Sequence, residues 1–194
     1  MSTDEKSIVF IDAQNVLMGW RNYCITTGKV LPPEGASDKR IRISEKLDYK
    51  KLVDVLSANT NLLRAYFYDG VDEHIDVDKK NFLKAIGEQG IQTKTKVLKL
   101  RNFYCNSCKG IRQGRVQKGV DVALATDLLR HSSQNSCSIC IVVSGDEDFA
   151  DAISFAQDKG VKVWIASFKA SLSPTLKADK KIYIESIFDK VKKI

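Results

Sequence analysis

The sequence predicts an α/β fold in which helices cover both faces of a single, mostly parallel sheet. Short apolar runs rich in β-branched and aromatic residues alternate with amphipathic segments of helical spacing, which is the pattern of buried parallel strands joined by helices. The chain has 194 residues, no internal repeat and no linker-like segment, which suits one domain with a sizeable core. We therefore expect residues 1–194 to form a single domain.

The first half of the chain contains two predicted strands. The run SIVFI is short and apolar and ends at an aspartate, and the run NLLRAYFYDG ends at Asp-Gly. Two prolines, two glycines and many charges between the first two helices predict a loop-rich insertion. In order, the elements are a strand, a helix, the insertion, a helix and a strand: 7–11, 14–24, about 28–46, 49–59 and 61–70.

The second half continues the alternation. A segment rich in Lys, Arg, Gly and Cys predicts a second loop-rich insertion, at about 102–117. The remaining elements are a helix at 77–90, an alternating strand at 91–100, a helix at 118–132, a strand at 138–143, a helix at 146–160, a strand at 161–167, a short helix at 174–178 and a strand at 181–186.

Positive charge is concentrated in one part of the chain. The formal net charge is +7, and no acidic residue lies between Glu88 and Asp121. Such a block suits a polyanion such as RNA, although a solvated basic loop is the simpler alternative. Two aromatic residues in it, Phe103 and Tyr104, could stack on unpaired bases or pack inside the loop. The basic residues that we expect to bind the RNA backbone are Lys94, Lys96, Lys99, Arg101, Arg112, Arg115 and Lys118.

Carboxylates follow the ends of several predicted strands. In a parallel sheet these ends lie at one edge, where ligands bind. Any single acid of this kind is adequately explained as a helix cap. The acids are Asp12, Asp69, Asp146 and Asp148 after strands, and Asp121 at the start of a helix.

A convergent set of carboxylates is harder to explain by capping. Two like charges ~4 Å apart repel by about 4 kcal/mol at an effective dielectric near 20. This repulsion exceeds the stabilisation that a helix dipole gives to a carboxylate at its start. A bound divalent cation, or protonation, would relieve this repulsion. Asn15, one turn after Asp12, could orient a metal-bound water or a phosphate, and Ser144 could bind a phosphate at a helix start.

The donor types predict which metal would bind. Carboxylates and water suit Mg²⁺ or Mn²⁺, as one or two ions, whereas zinc calls for histidine or cysteine. Cys105 and Cys108 form one C-x-x-C pair and could be a single zinc knuckle. Cys140 belongs to a second pair but lies in a predicted central strand, so a four-cysteine structural zinc site is disfavoured.

The remaining composition excludes several classes of protein. No apolar stretch approaches the roughly 18 residues of a membrane-spanning helix, and the first residues are polar, unlike a secretory signal. The cysteine count of five is odd, which favours reduced thiols over a disulfide framework. We expect a cytoplasmic protein without a membrane partner.

Three segments resemble the signature motifs of a known family. FIDAQNVLMGW, KGVDVALATDLL and VVSGDEDFADAISFAQDKGVKVWIAS look like the three motifs of NYN domains in the LabA-like branch of the PIN-like nuclease superfamily. The resemblance implies a PIN-like (Rossmann-like) three-layer α/β/α sandwich, an acidic pocket with Mg²⁺ or Mn²⁺, and RNA cleavage. Matching by motif, the pocket residues are Asp12, Asn15, Asp121, Asp146 and Asp148.

Two details of the match qualify the residue assignment. Asp127 fills a second acidic position of the helix motif, but six residues rotate a helix by about 240°, so Asp121 and Asp127 cannot both enter one pocket. The first motif commonly has Gly after the aspartate, where this chain has Ala13.

The leading hypothesis is a metal-dependent ribonuclease that acts on single-stranded or structured RNA. The alternative is an RNA-binding or regulatory module that keeps the pocket without turnover. A Toprim-like enzyme ranks lower because it would need Glu where Asp12 stands, and a haloacid dehalogenase-type phosphatase would need an acid in place of Gln14.

Overall fold

The structure is a computed structural model that describes residues 4–31, 41–72, 77–105, 107, 109–116 and 119–193. For residues 99–101 and 112–116 it describes the backbone alone. Cys108 and Lys118 therefore lie outside the described residues. Within those ranges, no helix combines the length and the apolar character needed to cross a membrane.

Ten strands and six helices are described, together with three short 3-10 helices. The strands are β1 (Lys6–Asp12), β2 (Val30–Leu31), β3 (Arg42–Ile43), β4 (Asn61–Val71), β5 (Ile91–Val97), β6 (Lys99–Tyr104), β7 (Ile111–Val116), β8 (Ile139–Val143), β9 (Lys162–Ser167) and β10 (Lys180–Tyr183). The helices are α1 (Ala13–Thr26), α2 (Tyr49–Ser57), α3 (Val77–Glu88), α4 (Val120–Ser133), α5 (Ala150–Asp158) and α6 (Phe188–Val191).

The central sheet has six strands in the order β10-β9-β8-β1-β4-β5. Every pair of neighbours in it is parallel. The chain runs from β1 outwards through β4 to β5 and then returns to β8 on the other side of β1. The connections leaving β1 and β8 therefore diverge, and a crevice opens between the carboxyl ends of these two strands.

Successive residues of β1 face opposite sides of the sheet, as strand geometry requires. Val9 and Ile11 belong to a hydrophobic cluster with Trp20 of α1 and Leu52 of α2. Ile8 and Phe10 belong to a second cluster, which includes Leu124 of α4 and Ile153 of α5. Because both faces of the sheet are covered by helices, the prediction of a three-layer α/β/α sandwich is confirmed.

Residues 99–116 contain a two-stranded antiparallel hairpin, where the sequence predicted the end of a strand at 91–100 and a loop-rich insertion at about 102–117. Strands β6 and β7 pair from Lys99↔Val116 to Tyr104↔Ile111. The turn is closed by the Cys105 amide, which donates to the Gly110 carbonyl at 2.9 Å. The hairpin was not predicted because the apolar side chains described in it are solvated: Tyr104 is 61% exposed and Ile111 is 71% exposed. Where apolar side chains are exposed, no alternating pattern of buried residues marks a strand.

The predicted short helix at 174–178 is wrong. Pro174 and Thr175 form a turn, and a 3-10 helix lies earlier, at Lys169–Ser171. The Ser173 amide donates to the Gly145 carbonyl at 2.9 Å, which ties this connection to the loop after β8. The segment is therefore shaped by a contact with that loop, which the local sequence does not reveal.

Candidate functional site

The crevice between β1 and β8 is built around Asp12. This residue ends β1 and caps α1, so its carboxylate accepts the Asn15 amide at 3.1 Å. The Ser144 hydroxyl, just after β8, donates to the other carboxylate oxygen at 3.1 Å. Asp12 is 4% exposed. Both oxygens are thus oriented by neighbours from the two strands that border the crevice.

Further hydrogen bonds join the two loops. The Asn15 side-chain oxygen accepts the Gly145 amide at 3.1 Å, and the Ser144 hydroxyl accepts the Asp146 amide at 3.3 Å. Asp146 in turn accepts the Asp148 amide at 3.1 Å and caps the following 3-10 helix. The structure thus places Ser144, which is 1% exposed, beneath Asp12 and Asp146 and away from solvent.

Gly145 is required by close packing of the backbone. A Cβ at this position would lie 2.1 Å from the Ser171 carbonyl oxygen and 2.5 Å from the Ser167 hydroxyl. The connection between β9 and β10 therefore packs directly against the backbone of the loop that positions Asp146. Sequence reasoning could not find Ser171, because it lies 26 residues further along the chain and belongs to no motif.

Three of the predicted carboxylates line one cavity of about 330 Å³: Asp12, Asp121 and Asp146. Asp121 enters from the first turn of α4, which brings it to the carboxyl edge of the sheet. Asn15 lines the same cavity, as do Gln14, Met18 and Ser171, which the sequence had not assigned to the site. Asp148 is exposed beside this group, one 3-10 turn from Asp146.

The electrostatics of the cavity disfavour negative charge. Burial raises the pKa of Asp12, and repulsion from Asp121 and Asp146 raises it further, while the bonds from the Asn15 amide and Ser144 oppose the shift. Burial also raises the pKa of Asp121, with repulsion from Asp146 and Asp148 adding to it. A cation in the cavity would stabilise the ionised forms of both residues.

The donors fit a hard cation that keeps part of its water shell. Among the residues that the structure describes, no group of three or more His, Cys, Asp or Glu side chains is gathered closely enough to enclose an ion. Mg²⁺ commonly binds through one or two carboxylates and retains several waters, so full enclosure is not needed. The charged groups that line the cavity are carboxylates, and no His or Cys is among its described lining residues, which argues against zinc.

Asp127 and Asp69 lie elsewhere. Asp127 accepts the Tyr68 hydroxyl at 2.7 Å and forms ion pairs with Lys94 and with Arg130. Burial raises its pKa, but the hydrogen bonds from Lys94 and Tyr68 and both cations outweigh this and keep the pKa below its usual value. Asp69, at the end of β4, pairs with Lys79 and lines a neighbouring cavity. Neither residue lines the acidic cavity.

The predicted basic residues fall into different environments. Lys94 binds Asp127 and lies 4.6 Å from the centre of the Tyr66 ring, whereas Lys96 is exposed. The backbones of Lys99, Arg101, Arg112 and Arg115 lie in β6 and β7. Phe103 is 48% exposed on the same hairpin, beside the exposed Tyr104.

The cysteines do not gather into one site in the described part of the chain. The sulfurs of Cys137 and Cys140 lie 3.5 Å apart, and Cys140 is fully buried in the core, as its position in a central strand predicted. Cys105 is half-buried at the hairpin turn, and the proposed knuckle partner, Cys108, lies outside the described residues.

A parallel α/β/α sandwich with carboxylates at its topological switch point defines a Rossmann-like domain with an acidic site. Residues 6–186 match the NYN domain, so the chain belongs to the NYN domain family. The NYN domain is part of the PIN-like nuclease superfamily, which is consistent with a nuclease.

The chain is similar to one protein in sequence and to another in structure. The y4oD protein of Sinorhizobium fredii, described as uncharacterized, is 36% identical over 85 residues, which cover 42% of this chain and 37% of that protein. The crystal structure of VPA0982, a protein of unknown function from Vibrio parahaemolyticus, aligns over 100% of this chain and 99% of its own, with 20% identity and a TM-score of 0.68. At that identity the likeness shows the fold alone. The likeness to phosphofructokinase-2 from Escherichia coli is weak, with a TM-score of 0.40 and 10% identity over 84% of this chain and 55% of that chain.

Proposed function

We propose that the protein is a metal-dependent ribonuclease that hydrolyses RNA phosphodiester bonds at the acidic cavity. The observation that supports this most strongly is the cavity shared by Asp12, Asp121 and Asp146. The chain contributes these residues from three distant segments, and burial, with repulsion from neighbouring carboxylates added to it, raises the pKa of Asp12 and of Asp121. An arrangement that costs stability at neutral pH is typical of a functional site.

The cavity residues would have distinct roles. Asp12, Asp121 and Asp146 would bind one Mg²⁺ or Mn²⁺, directly or through the waters that the ion retains, and Asp148 a second ion or a water. When bound, such an ion lowers the pKa of a coordinated water and polarises the phosphate. Asn15 would fix the loop after β8 through its bond to Gly145. We assign Ser144 to positioning the Asp12 carboxylate, because its hydroxyl is buried and already bonded there.

The hairpin of β6 and β7 is the proposed RNA-binding surface. It follows β5, whose carboxyl end lies at the same edge of the sheet as Asp12, and it directly precedes α4, which carries Asp121. Phe103 and Tyr104 expose aromatic rings that could stack on unpaired bases. Lys96 and the basic residues of the hairpin would bind phosphates without reading sequence. Lys94 would contribute less, because Asp127 neutralises it.

The test compares two isosteric substitutions. Purified protein is incubated with single-stranded and structured RNA in Mn²⁺, in Mg²⁺ or in EDTA. We expect cleavage only with a metal, and we expect Asp146→Asn to reduce it by on the order of 100-fold or more while RNA binding persists. Asp151→Asn, an exposed position in the first turn of α5, is the matched control and should cleave normally.

One outcome would replace this proposal with another. Binding of RNA without cleavage in any metal would contradict the ribonuclease and support a non-catalytic RNA-binding module. Membership of the LabA-like branch, a cytoplasmic location and the organisation of residues 1–194 as one domain remain predictions within the same proposal.

A further inference from the structure

A second cavity, of about 630 Å³, adjoins the acidic one. Gln14, in the first turn of α1, lines both cavities, and Ala13 and Leu17 of the same helix line the second. Asp69 and Gly70, at the carboxyl end of β4, form another part of its wall. The two cavities thus lie on either side of the first turn of α1, at the same edge of the sheet.

The walls of this second cavity are apolar and aromatic. The Phe67 ring lies edge-on to Tyr49, with centroids 4.9 Å apart, and edge-on to Phe82 at 5.8 Å. Phe67 and Tyr49 are buried, so they form the floor of the cavity, and the accessible apolar surface of the wall comes mainly from the half-buried Phe82 and the exposed Leu17. Leu17, on α1, is 53% exposed where it lines the cavity. Such a cavity suits a flat ligand with apolar faces.

Charged groups line the same cavity. Lys46 and Lys193 are exposed there, and the Lys193 amide donates to the Lys46 carbonyl at 2.7 Å, which holds the two residues side by side. Asp69 is only 8% exposed and pairs with Lys79, whose ammonium group lies 5.4 Å from the centre of the Phe82 ring. An apolar chain from a lipid or a partner protein would bury this ion pair at a cost, because neither supplies hydrogen bonds to it.

A nucleotide matches all three features. Its base has flat apolar faces and a polar edge that could bond to Asp69, and its phosphate is an anion for the lysines. Because Gln14 lines both cavities, a strand that follows the surface would pass from one cavity to the other at the first turn of α1.

We infer that this cavity binds one nucleobase turned out of the RNA strand, with the flanking phosphates against Lys46 and Lys193. The strand would then continue into the acidic cavity on the other side of Gln14. The inference rests on the proposed function for its choice of RNA as the strand. It adds a substrate class, a single strand or an unpaired segment from which a base can be extruded.

The experiment measures binding in EDTA, so that cleavage plays no part. A short single-stranded RNA and a series of variants, each lacking one base, are titrated into the wild-type protein and followed by fluorescence anisotropy. Loss of the base that occupies the cavity should weaken binding about tenfold, which is the effect of returning about 55 Å² of apolar surface to water.

The decisive variant is Leu17→Trp, which adds bulk at the cavity from an exposed helical position. In this variant the intact RNA should bind about tenfold more weakly than it binds to the wild type. Removal of the critical base should not weaken the affinity of the variant any further, because the tryptophan has already removed the contact between that base and the cavity. Leu63→Trp is the matched control, at a position in β4 that is 41% exposed. It should retain the wild-type pattern, and thermal melting should confirm that both variants are folded.

A second variant tests the phosphate contacts independently. Replacing both Lys46 and Lys193 by Gln should lower the salt dependence of binding, with a change in slope of about 1.4, since each phosphate neutralised on a single strand contributes about 0.7. An unchanged slope would contradict the proposed path of the strand.

The outcomes separate this inference from the ribonuclease proposal. Suppose that each missing base lowers the RNA affinity of Leu17→Trp and of the wild type by the same factor, while metal-dependent cleavage persists. This result would refute the base-binding cavity and leave the ribonuclease proposal intact. If the critical base behaves as expected but no metal supports cleavage, the ribonuclease proposal fails and the cavity stands. Saturation of the cavity by a fatty acid without any loss of RNA affinity would also overturn the inference.

Discussion

Substituting Gly145 by alanine perturbs the site through the backbone, without touching a carboxylate. The new Cβ would lie 2.1 Å from the Ser171 carbonyl oxygen and 2.6 Å from its carbonyl carbon. Both are main-chain atoms, so the clash cannot be relieved by rotation of a side chain. Either the loop after β8 or the connection between β9 and β10 must move.

The expected cost follows from two contributions. Overpacking in a well-packed region costs typically about 1–3 kcal/mol, and displacement of the loop would weaken the bond from the Gly145 amide to Asn15, for about 1 kcal/mol more. A total of about 2–4 kcal/mol corresponds to a fall in Tm of roughly 4–16 °C for a protein of this size. Because Asp146 follows directly, metal-dependent cleavage should fall more than the loss of folded protein explains.

Thermal melting and cleavage at a temperature where both proteins are folded provide the assay. Gly87→Ala is the matched control, since nothing lies within 4 Å of a Cβ built at this position in α3. A helical Gly→Ala change should stabilise the protein by about 0.5–1 kcal/mol and leave cleavage unchanged. A Tm for Gly145→Ala within about 1 °C of the wild type would refute the packing argument.

Three further predictions concern charge and exposure. The raised pKa of Asp12 stabilises the folded protein below the normal pKa of 3.8, and this stabilisation is lost as pH rises through the pKa of the folded state. In EDTA, the Tm of Asp12→Asn should therefore increase relative to the Tm of the wild type as pH rises. Mn²⁺ should reduce this difference in Tm, because it stabilises the wild type. Asp127→Ala should lower stability by about 1–3 kcal/mol in urea unfolding, because it leaves the buried Tyr68 hydroxyl without its acceptor and removes ion pairs to the partly exposed Lys94 and Arg130. Cleavage per folded molecule should stay intact in this variant, whereas Asp121→Asn should abolish cleavage with little loss of stability. Replacing Phe103 and Tyr104 by alanine should weaken binding of single-stranded RNA by about 1–3 kcal/mol per lost stack without changing Tm.

Each of these predictions has an opposite result that counts against it. A Tm difference between Asp12→Asn and the wild type that does not change with pH would contradict the raised pKa of Asp12. Loss of cleavage in folded Asp127→Ala would place this residue in the site after all. Unchanged RNA affinity in the hairpin variant would locate the RNA path elsewhere.

The sheet was predictable because of where its strands lie. Strands covered on both faces, such as Ile139–Val143, are continuously apolar and stand out against helical segments. The parallel arrangement then puts the residues after each strand at one edge, which is why Asp12 and Asp146 could be expected together. The rotation per residue of a helix likewise predicted that Asp121 and Asp127 do not enter the same pocket. In the structure Asp121 lines the acidic cavity, whereas Asp127 accepts the Tyr68 hydroxyl.

The features that sequence reasoning missed depend on contacts between distant residues. Ser144 looks like a phosphate ligand in the sequence, but its burial beneath Asp12 depends on the pairing of β1 with β8. Lys94 looks like a free cation until Asp127, 33 residues away, is seen to neutralise it. The apolar side chains described in the hairpin of β6 and β7 are solvated, so no alternating pattern of buried residues marks these strands.

The central claim is that carboxylates from three segments bind a divalent cation. Anomalous diffraction from crystals soaked in Mn²⁺ tests it directly. We predict a manganese peak between Asp12, Asp121 and Asp146 in the wild type and its loss in Asp146→Asn. A wild-type crystal with no peak in the acidic cavity, at a Mn²⁺ concentration that supports cleavage in solution, would contradict the claim.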